Sequence, residues 1–330
     1  FQNEKFVMGE SVYKFEEEFA KYIGTKLAVS VNSGNAALHL SLLALGINNK
    51  SSVITSTNSF IASANCILMT GAKPILCDIK PEDGNIDISS TDEKADAIIP
   101  VHIYGNPCDF DSIRRMSEES KIPIIEDACQ AHGAKYFDKK VGSLGDVGCF
   151  SFYPTKNMTV GGDGGMITTN DEEIQSEVIS LRDNGRKSHT THDKLGFTMR
   201  LNTVNAAIGR IQLGHLDERN SRRQKIAELY KKHLSEDYFL TENPNGSSVF
   251  HQIIFRHKKR NDIMEHLSKN GIGATIHYPI PIHKQPLYSY LNLTLSISEE
   301  FSNQVLSLPS YPQLSDDDVK FVCETINQIL

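Results

Sequence analysis

The feature that most constrains this chain is a series of seven short segments between residues 27 and 169 that are apolar along most of their length. Strands that are buried on both faces read as continuous apolar runs, whereas strands with one exposed face alternate. Helix-like stretches separate several of these segments. The pattern predicts an α/β fold with a largely parallel sheet, whose strands are residues 27–31, 53–55, 74–79, 97–101, 123–126, 147–152 and 165–169.

The C-terminal third of the chain has a different pattern. Helical periodicity over residues 201–234, with apolar positions on one face and charged positions on the other, predicts one long connecting helix. Beyond it the sequence predicts a strand over residues 249–255, a helix over 262–270 and a terminal helix over 316–329. This combination of a strand with helices is typical of a small α+β domain.

Length and charge bound the domain count and the partners. A chain of 330 residues exceeds the size at which one hydrophobic core stops growing, so we predict a large domain over residues 1–225 and a smaller one over 226–330. The formal net charge of -7 and the isoelectric point near 6.0 disfavour a nucleic-acid partner. No segment approaches the roughly 18 apolar residues of a membrane span, so we expect no membrane partner.

The cysteines and the N-terminus indicate a compartment. None of the six cysteines forms a C-x-x-C pair, and we interpret them as reduced core residues rather than metal ligands. The chain begins at Phe1 and shows no charged-then-apolar signal segment, which we interpret as a trimmed or disordered start. We therefore expect a cytoplasmic protein without a bound metal.

Three segments that follow predicted strands carry candidate chemistry. Ser33 and Gly34 open a helix, where free backbone N–H groups and the helix dipole favour an anion such as phosphate. Asp127 follows a strand with Gln130 close behind, and Lys156 follows another strand in a turn that contains Pro154. Each of these segments also has an ordinary explanation. Ser33 and Asp127 could each simply cap a helix, and Lys156 could be a solvated loop lysine.

Taken together, the three segments supply the parts that one cofactor requires. A phosphate anchor, a carboxylate for a protonated ring nitrogen and an amine that burial can make nucleophilic are what pyridoxal phosphate needs. The glycines after Lys156 match neither the G-x-G-x-x-G pattern nor a P-loop, so a nucleotide loop is disfavoured. The sequence therefore predicts an enzyme that uses pyridoxal 5′-phosphate.

The ordered motifs resemble those of the DegT/DnrJ/StrS family of pyridoxal-phosphate-dependent sugar-nucleotide aminotransferases. The resemblance covers nearly the whole chain and rests on residues 15–20, SGNAAL at 33–38, VHIYG at 101–105, EDACQ at 126–130, FSFYPTKN at 150–157, NAAIG at 205–209 and HYP at 277–279. It implies the fold type I architecture, with a mostly parallel seven-stranded sheet in the large domain and a smaller C-terminal α+β domain.

The resemblance also implies roles for the cofactor-binding residues. Lys156 matches the lysine that holds the cofactor as a Schiff base, and Asp127 matches the carboxylate that faces the pyridine nitrogen. Gln130 matches a residue near the phenolic oxygen, and Phe60 matches an aromatic ring that stacks on the cofactor. The matches to the phosphate contacts are Ser151 and the backbone around Gly34 and Asn35.

Substrates and assembly are implied in the same way. The expected reaction moves an amino group from an amino acid, L-glutamate by preference, to a keto-sugar nucleotide. Tyr278, His283 and Arg200 are candidate substrate residues, although His283 fits a surface position equally well. The family is expected to form a homodimer with its active site at the subunit interface. Relatives often carry G-Y-N-x-R-L where this chain has Thr198 in place of Asn, so a phosphate contact from the second subunit is in doubt.

Three alternatives remain open at this point. An aminotransferase that acts on a cyclitol or an aromatic precursor would share every cofactor residue. A sugar dehydratase of the same family resembles this chain but has His where Lys156 stands. A non-catalytic regulatory homologue would keep the fold without needing Lys156, Asp127 and Gln130 together.

Overall fold

Seven strands form the central sheet of the computed structural model, which describes residues 4–330. The strands of this part of the chain are β1 (Leu27–Val31), β2 (Ser52–Ser56), β3 (Lys73–Cys77), β4 (Ala97–Ile99), β5 (Ile125–Asp127), β6 (Lys135–Tyr136), β7 (Lys139–Lys140), β8 (Val147–Ser151), β9 (Gly165–Thr169), β10 (Gly246–Ser247), β11 (Ile253–Arg256) and β12 (Val305–Leu308). The central sheet consists of β1 to β5 together with β8 and β9.

Ten α-helices surround the sheets in the same described range. They are α1 (Glu10–Ile23), α2 (Gly34–Ala44), α3 (Ala62–Met69), α4 (Phe110–Ser120), α5 (Glu172–Arg182), α6 (Thr203–Leu213), α7 (Leu216–His233), α8 (Arg260–Lys269), α9 (Ser296–Gln304) and α10 (Asp316–Asn327). None of them is both long and apolar enough to cross a membrane.

The strand order in the central sheet is β1-β9-β8-β5-β4-β2-β3. Hydrogen-bonded ladders join β1, β9, β8 and β5 on one side and β4, β2 and β3 on the other. Two parallel bridges, Ile98 to Ile124 and Val101 to Asp127, connect the two halves through β4 and β5. Only β9 runs antiparallel to its neighbours within this sheet. The α/β prediction is confirmed, and each predicted strand of this sheet lies within two residues of its observed bounds.

The sheet is apolar along its strands because both of its faces are buried. On β8, Cys149 belongs to a core that α2 covers, whereas the next residue, Phe150, belongs to a core that α1 covers. On β9, Ile167 belongs to the core that α2 covers and Met166 belongs to the core that α1 covers. Successive side chains of a strand point to opposite faces, so a strand between two cores is apolar at most of its positions.

Two predictions for the C-terminal third are wrong in detail. The predicted long helix is two helices, α6 and α7, which Gly214 and His215 separate. Because glycine is a poor helix former, the helix is interrupted at Gly214, although the apolar periodicity continues on both sides of it. The predicted strand over 249–255 begins only at Ile253, because the preceding backbone N–H groups of Val249 and Gln252 bond to carbonyls of the 104–105 turn instead.

The C-terminal part of the chain has a hydrophobic core of its own. It packs α7, α8 and α10 against β11 and β12, with Phe255, Leu306 and Val319 fully buried. The predicted boundary between residues 225 and 226 falls inside α7, a helix that contributes to this core. The division into two domains at that point stays a prediction. All six cysteines are unpaired.

A buried ion pair joins α1, β1 and α5. Arg182 Nη1 lies 2.6 Å from Glu16 Oε1, and both side chains are almost entirely excluded from solvent. Ser30 completes the arrangement, since its N–H and its hydroxyl each donate to Glu16 Oε1 at 2.8 Å and its carbonyl accepts from Arg182 Nη1 at 2.6 Å. The pair holds the first helix of the chain against the edge of the sheet.

Replacing Glu16 with Ala is expected to lower the free energy of unfolding by about 3–5 kcal/mol, because Arg182 would keep a buried charge without its partner. Urea unfolding at fixed protein concentration measures this loss. Glu10→Ala is the control, since it removes an exposed i,i+4 pair with Lys14 from the same helix and should change little. Equal unfolding midpoints for Glu16→Ala and Glu10→Ala would contradict the prediction.

Candidate active site

The candidate site lies at the carboxyl ends of the parallel strands, where open α/β sheets bind ligands. The loops that follow β2, β5 and β8 carry Phe60, Gln130 and Lys156, and Asp127 ends β5. The N-terminus of α2 reaches the same edge after β1. The structure therefore brings the sequence-predicted cofactor residues to one edge of the sheet, although more than a hundred positions separate the first from the last.

Lys156 lies in a turn that its own backbone stabilises. The N–H of Lys156 donates to the carbonyl of Tyr153 at 2.9 Å, and the N–H of Phe152 donates to the carbonyl of Gly164 at 2.8 Å. Within residues 4–330 the ammonium group forms no ion pair with a carboxylate. The side chain is partly accessible to solvent, but burial of its amine lowers the pKa of Lys156, although the nearby carboxylate of Asp127 opposes this shift. A larger share of neutral amine makes Lys156 a better nucleophile and base.

Asp127 is held in place through both of its carboxylate oxygens. The hydroxyl of Ser63 donates to Oδ2 at 2.7 Å, and the backbone N–H of Cys129 donates to Oδ1 at 3.2 Å. Ser59 supports this contact, since its hydroxyl lies 2.7 Å from that of Ser63. Asp127 is buried, so its orientation is set before any ligand binds. Ser63 could not be identified from the sequence, because a serine at the start of a helix has many ordinary uses.

Gln130 has a defined amide orientation. Its Oε1 accepts the backbone N–H of Tyr104 at 2.9 Å, and its Nε2 lies 3.3 Å from the hydroxyl of Tyr278. Because a backbone N–H can only donate, the oxygen of the amide must face Tyr104. The amide therefore presents N–H groups, not an acceptor, on its other side.

The start of α2 and the hydroxyl of Ser151 form the part of the site that suits an anion. The amides of Gly34 and Asn35 are in the first turn of the helix and have no acceptor within it. A Cβ atom on Gly34 would lie 2.6 Å from Cβ of Ser151, so only glycine lets the two elements approach this closely. Ser151 Oγ accepts from Tyr153 at 3.4 Å, which leaves the hydroxyl proton free to donate. Asn35 Oδ1 is buried and has no hydrogen-bond partner.

Phe60 lies beside Tyr278 at this edge. The two ring centroids are 6.4 Å apart and the ring planes are inclined by 43°. Phe60 is 56% exposed, which is unusual for a phenylalanine that follows a buried strand. An exposed aromatic ring in this position is available to stack on a planar ligand.

Three histidines lie within electrostatic reach of Lys156, and the sequence motifs include only one of them, His277. The other two are His132 and His251. Burial, reinforced by the charge of Lys156, lowers the pKa of His132 to about 3 and that of His251 well below its usual value. Both rings are therefore neutral at physiological pH and add no positive charge beside the lysine. No spacing pattern identifies them, since each comes from a different loop.

The predicted substrate residues His283 and Arg200 make polar contacts within the protein. His283 is buried, with Nδ1 2.7 Å from the hydroxyl of Thr57 and Nε2 3.2 Å from Oε1 of Glu299. Arg200 donates to Asp183 at 2.6 Å. The surface alternative for His283 is wrong, because the ring is enclosed. Substrate binding by His283 and Arg200 stays a prediction.

Thr198, which occupies the position where the family pattern has Asn, lies on the exposed segment before Arg200. Its hydroxyl donates to Oδ1 of Asn184 at 3.1 Å, and Asn184 has a left-handed backbone with φ 63°. The contact shapes the loop between these two residues. Nothing within the described chain brings Thr198 to Lys156, so any role at the cofactor would require a second subunit.

Comparison with known proteins adds to this geometry. The model of the DegT/DnrJ/EryC1/StrS aminotransferase family matches residues 1–327. A dTDP-3-amino-3,6-dideoxy-alpha-D-galactopyranose transaminase of Aneurinibacillus thermoaerophilus is 39% identical over 332 residues, which cover 98% of this chain and 91% of the relative. A pleiotropic regulatory protein of Geobacillus stearothermophilus is 37% identical over 337 residues, with 98% and 91% covered.

Solved structures share the fold over nearly the whole chain. DesV of S. venezuelae in complex with a ketimine intermediate superposes with a TM-score of 0.95 at 35% identity, covering 98% of this chain and 90% of that one. NtdA of Bacillus subtilis with the bound cofactor PMP has a TM-score of 0.90 at 31% identity, covering 98% and 79%. The fold is therefore that of aminotransferases with fold type I architecture, as the sequence predicts.

Replacing Gly34 with Ala is expected to weaken binding of pyridoxal 5′-phosphate, the ligand that the sequence predicts, by about tenfold. The added methyl would push α2 away from Ser151, and overpacking of this kind is worth about 1–3 kcal/mol. Absorbance titration of the cofactor-free protein measures the affinity.

Gly273→Ala is the matched control, because a methyl group there would contact nothing within 4 Å. It should bind pyridoxal 5′-phosphate like the unaltered protein. Unchanged affinity in Gly34→Ala would show that α2 and Ser151 do not form the phosphate site.

Proposed function

This chain belongs to the DegT/DnrJ/EryC1/StrS aminotransferase family, and we propose that it uses pyridoxal 5′-phosphate to move an amino group from L-glutamate to a keto-sugar nucleotide. One observation carries the proposal. A buried lysine without an ion-pair partner lies within electrostatic reach of a carboxylate whose two oxygens are already oriented. An isolated pair of this kind is what the cofactor requires, and an ordinary structural lysine would have a hydrogen-bonded partner.

The residues of the site fit the cofactor in number and in chemistry. The first backbone amides of α2 have no acceptor within the helix, so this corner of the protein has free donors for a ligand. An anion would satisfy those amides. We assign the phosphate to the backbone of Gly34 and Asn35 with Ser151, the ring nitrogen to Asp127, the phenolic oxygen to Gln130, a ring face to Phe60 and the carbonyl carbon to Lys156.

Several residues of the chain have separate roles in proton transfer. When bound, pyridoxal phosphate supplies an electron sink that stabilises the negative charge left on the donor's α-carbon. Lys156 Nζ, whose pKa burial lowers, is the base that holds the proton from that carbon. Asp127 favours a protonated ring nitrogen, a pairing that the hydroxyl of Ser63 maintains. His132 and His251 stay neutral and so leave Lys156 as the titrating amine.

The names of relatives support a sugar-nucleotide acceptor. The relative from Aneurinibacillus thermoaerophilus acts as a dTDP-amino-sugar transaminase, and it aligns over almost the whole of both chains. The lysine at position 156 supports amino transfer over dehydration, because the dehydratases that the chain resembles have His there. The products would serve the synthesis of amino sugars for surface polysaccharides, glycans or natural products. A cytoplasmic location is supported by six unpaired cysteines, which suit a reducing compartment.

A regulatory protein is the second candidate, because the relative from Geobacillus stearothermophilus carries that name. A sensor without catalysis would still bind the cofactor. It would have no need for an amine that burial keeps partly neutral beside an oriented carboxylate. Turnover therefore separates the two candidates, whereas cofactor binding does not.

The purified protein with bound cofactor is expected to lose its visible absorption band when L-glutamate is added and to recover it when a keto-sugar nucleotide follows. A panel of dTDP-, UDP- and GDP-linked sugars with the keto group at C3 or C4 identifies the acceptor. Lys156→Ala should lack the band of the lysine-bound cofactor and slow both steps by about 10²–10⁴-fold or more.

Folding of Lys156→Ala is checked by circular dichroism, so that loss of the band is not confused with loss of structure. An unchanged spectrum in this variant would contradict the assignment of Lys156. Bleaching by glutamate without recovery by any member of the panel would favour a cyclitol or aromatic acceptor. A band that neither step changes would favour the regulatory candidate.

We also propose that the protein is a homodimer with the active site at the subunit interface. Adjacent helices α1 and α6 expose apolar side chains on one surface, among them Tyr13, Val204 and Ile211. Ile211 is 66% exposed, and exposed apolar side chains on neighbouring helices are typical of an interface.

Light scattering is expected to give twice the chain mass of 36.8 kDa for the unaltered protein. Ile211→Asp should shift the mass toward that of one chain and lower activity with it. Phe321→Asp is the matched control, since Phe321 is an exposed aromatic residue on the distant helix α10. A monomer with full activity would contradict the proposal.

A further inference from the structure

Tyr104 has a backbone conformation that is rare for a bulky residue. It lies in the 3-10 turn Ile103–Gly105 after β4, with φ 60° and ψ 5°, and its side chain is only 3% exposed. A left-handed conformation of this kind is worth about 1–3 kcal/mol of strain and persists only where the surrounding structure holds it. The contacts that hold Tyr104 therefore indicate its role.

Tyr104 makes one contact through its backbone and others through its side chain. The backbone N–H of Tyr104 donates to Oε1 of Gln130 at 2.9 Å. The phenol donates to the carbonyl of His277 at 2.5 Å, and it lies 3.4 Å from Oδ1 of Asn58. Because a hydroxyl has one proton, the shorter contact to His277 is the principal one. Burial raises the pKa of this phenol, so the donor is always present.

The two contacts determine the position of two neighbouring groups in the site. The backbone contact turns the Nε2 group of Gln130 outward, and the phenol contact holds the peptide that precedes Tyr278. Gln130 Nε2 and the Tyr278 hydroxyl then lie 3.3 Å apart. They are 148 positions apart in the chain, and Tyr104 contacts both segments.

We propose that Tyr104 is a positioning residue that acts on the amino-group acceptor through its phenol. Its backbone orients Gln130, which serves both half-reactions, whereas its hydroxyl orients only the His277–Tyr278 segment, where the acceptor is expected. This inference rests on the proposed aminotransferase function. It assigns to Tyr104 a share in recognition of the keto sugar, although the residue itself is buried and touches neither substrate nor cofactor.

Tyr104→Phe separates these two contributions, because it removes the hydroxyl and keeps the ring and the backbone N–H. The rate and KM of the half-reaction with L-glutamate are expected to change less than twofold. The KM for the keto-sugar nucleotide that restores the band of the unaltered protein should rise about tenfold, the effect of one buried hydrogen bond. Stopped-flow absorbance of the cofactor band measures each half-reaction separately.

Tyr230→Phe is the matched control. Tyr230 is a fully buried tyrosine whose hydroxyl also donates to a backbone carbonyl, that of Pro309 at 3.1 Å, but it lies in the C-terminal core. It should lose similar stability in thermal unfolding and leave the KM of both half-reactions unchanged. A selective rise in acceptor KM for Tyr104→Phe alone supports the inference.

Equal changes in both half-reactions, or none in either, would overturn it. Should Tyr104→Phe fail to fold, incorporation of 3-fluorotyrosine at position 104 tests the same contact, since it keeps the ring and the hydroxyl but alters the strength of the hydrogen bond to the carbonyl of His277. A change in acceptor KM with an unchanged glutamate half-reaction supports the inference in that case, and an unchanged acceptor KM overturns it. Failure of the unaltered protein to react with glutamate and any keto sugar would instead reject the proposed function.

Discussion

Burial of the central sheet on both faces is the constraint on which the rest of this structure depends. With α2 on one face and α1 on the other, the strands can carry almost nothing but apolar side chains. Polar side chains are therefore concentrated where the strands end. The parallel arrangement puts the carboxyl ends of β2, β4, β5 and β8 on the same edge, and every predicted cofactor residue lies on or after one of them or at the start of α2.

The end of β5 shows how this constraint separates a carboxylate that stabilises the fold from one that belongs to the candidate site. Glu126 and Asp127 are neighbours in the strand and so point to opposite faces. Glu126 is fully enclosed and accepts the backbone N–H groups of Gly142, Leu144 and Gly145 at 2.7–2.8 Å. His102 completes the set, since its Nδ1 accepts from Cys108 and its Nε2 must therefore donate to Glu126 at 3.0 Å. Glu126 has no capacity left for a ligand, whereas Asp127 faces Lys156.

The strands were predictable because an apolar run depends only on its own residues. Lys156, Asp127 and Gln130 were predictable as candidates because each follows such a run. The helix break at Gly214 was not, since the periodicity is intact on both sides of it. The enclosure of His283 was also not predictable, because Thr57 and Glu299 lie far from it in sequence or on another element. Ser63 and His132 belong to no motif, and Tyr104 belongs to the VHIYG segment without a role that the segment predicts, although each contacts or influences a predicted site residue.

The sequence alone determined the strands, the edge at which polar residues gather and, through the order of its motifs, the family and the prediction that Lys156 binds the cofactor. Each of these depends on residues that are close together in the chain. Tertiary structure decided which groups orient those residues. Ser63 and Asp127 are 64 positions apart, Tyr104 and Gln130 are 26 apart, and Tyr104 and His277 are 173 apart. Hydrogen bonds require contact within about 3 Å, and only the folded chain brings such distant residues together.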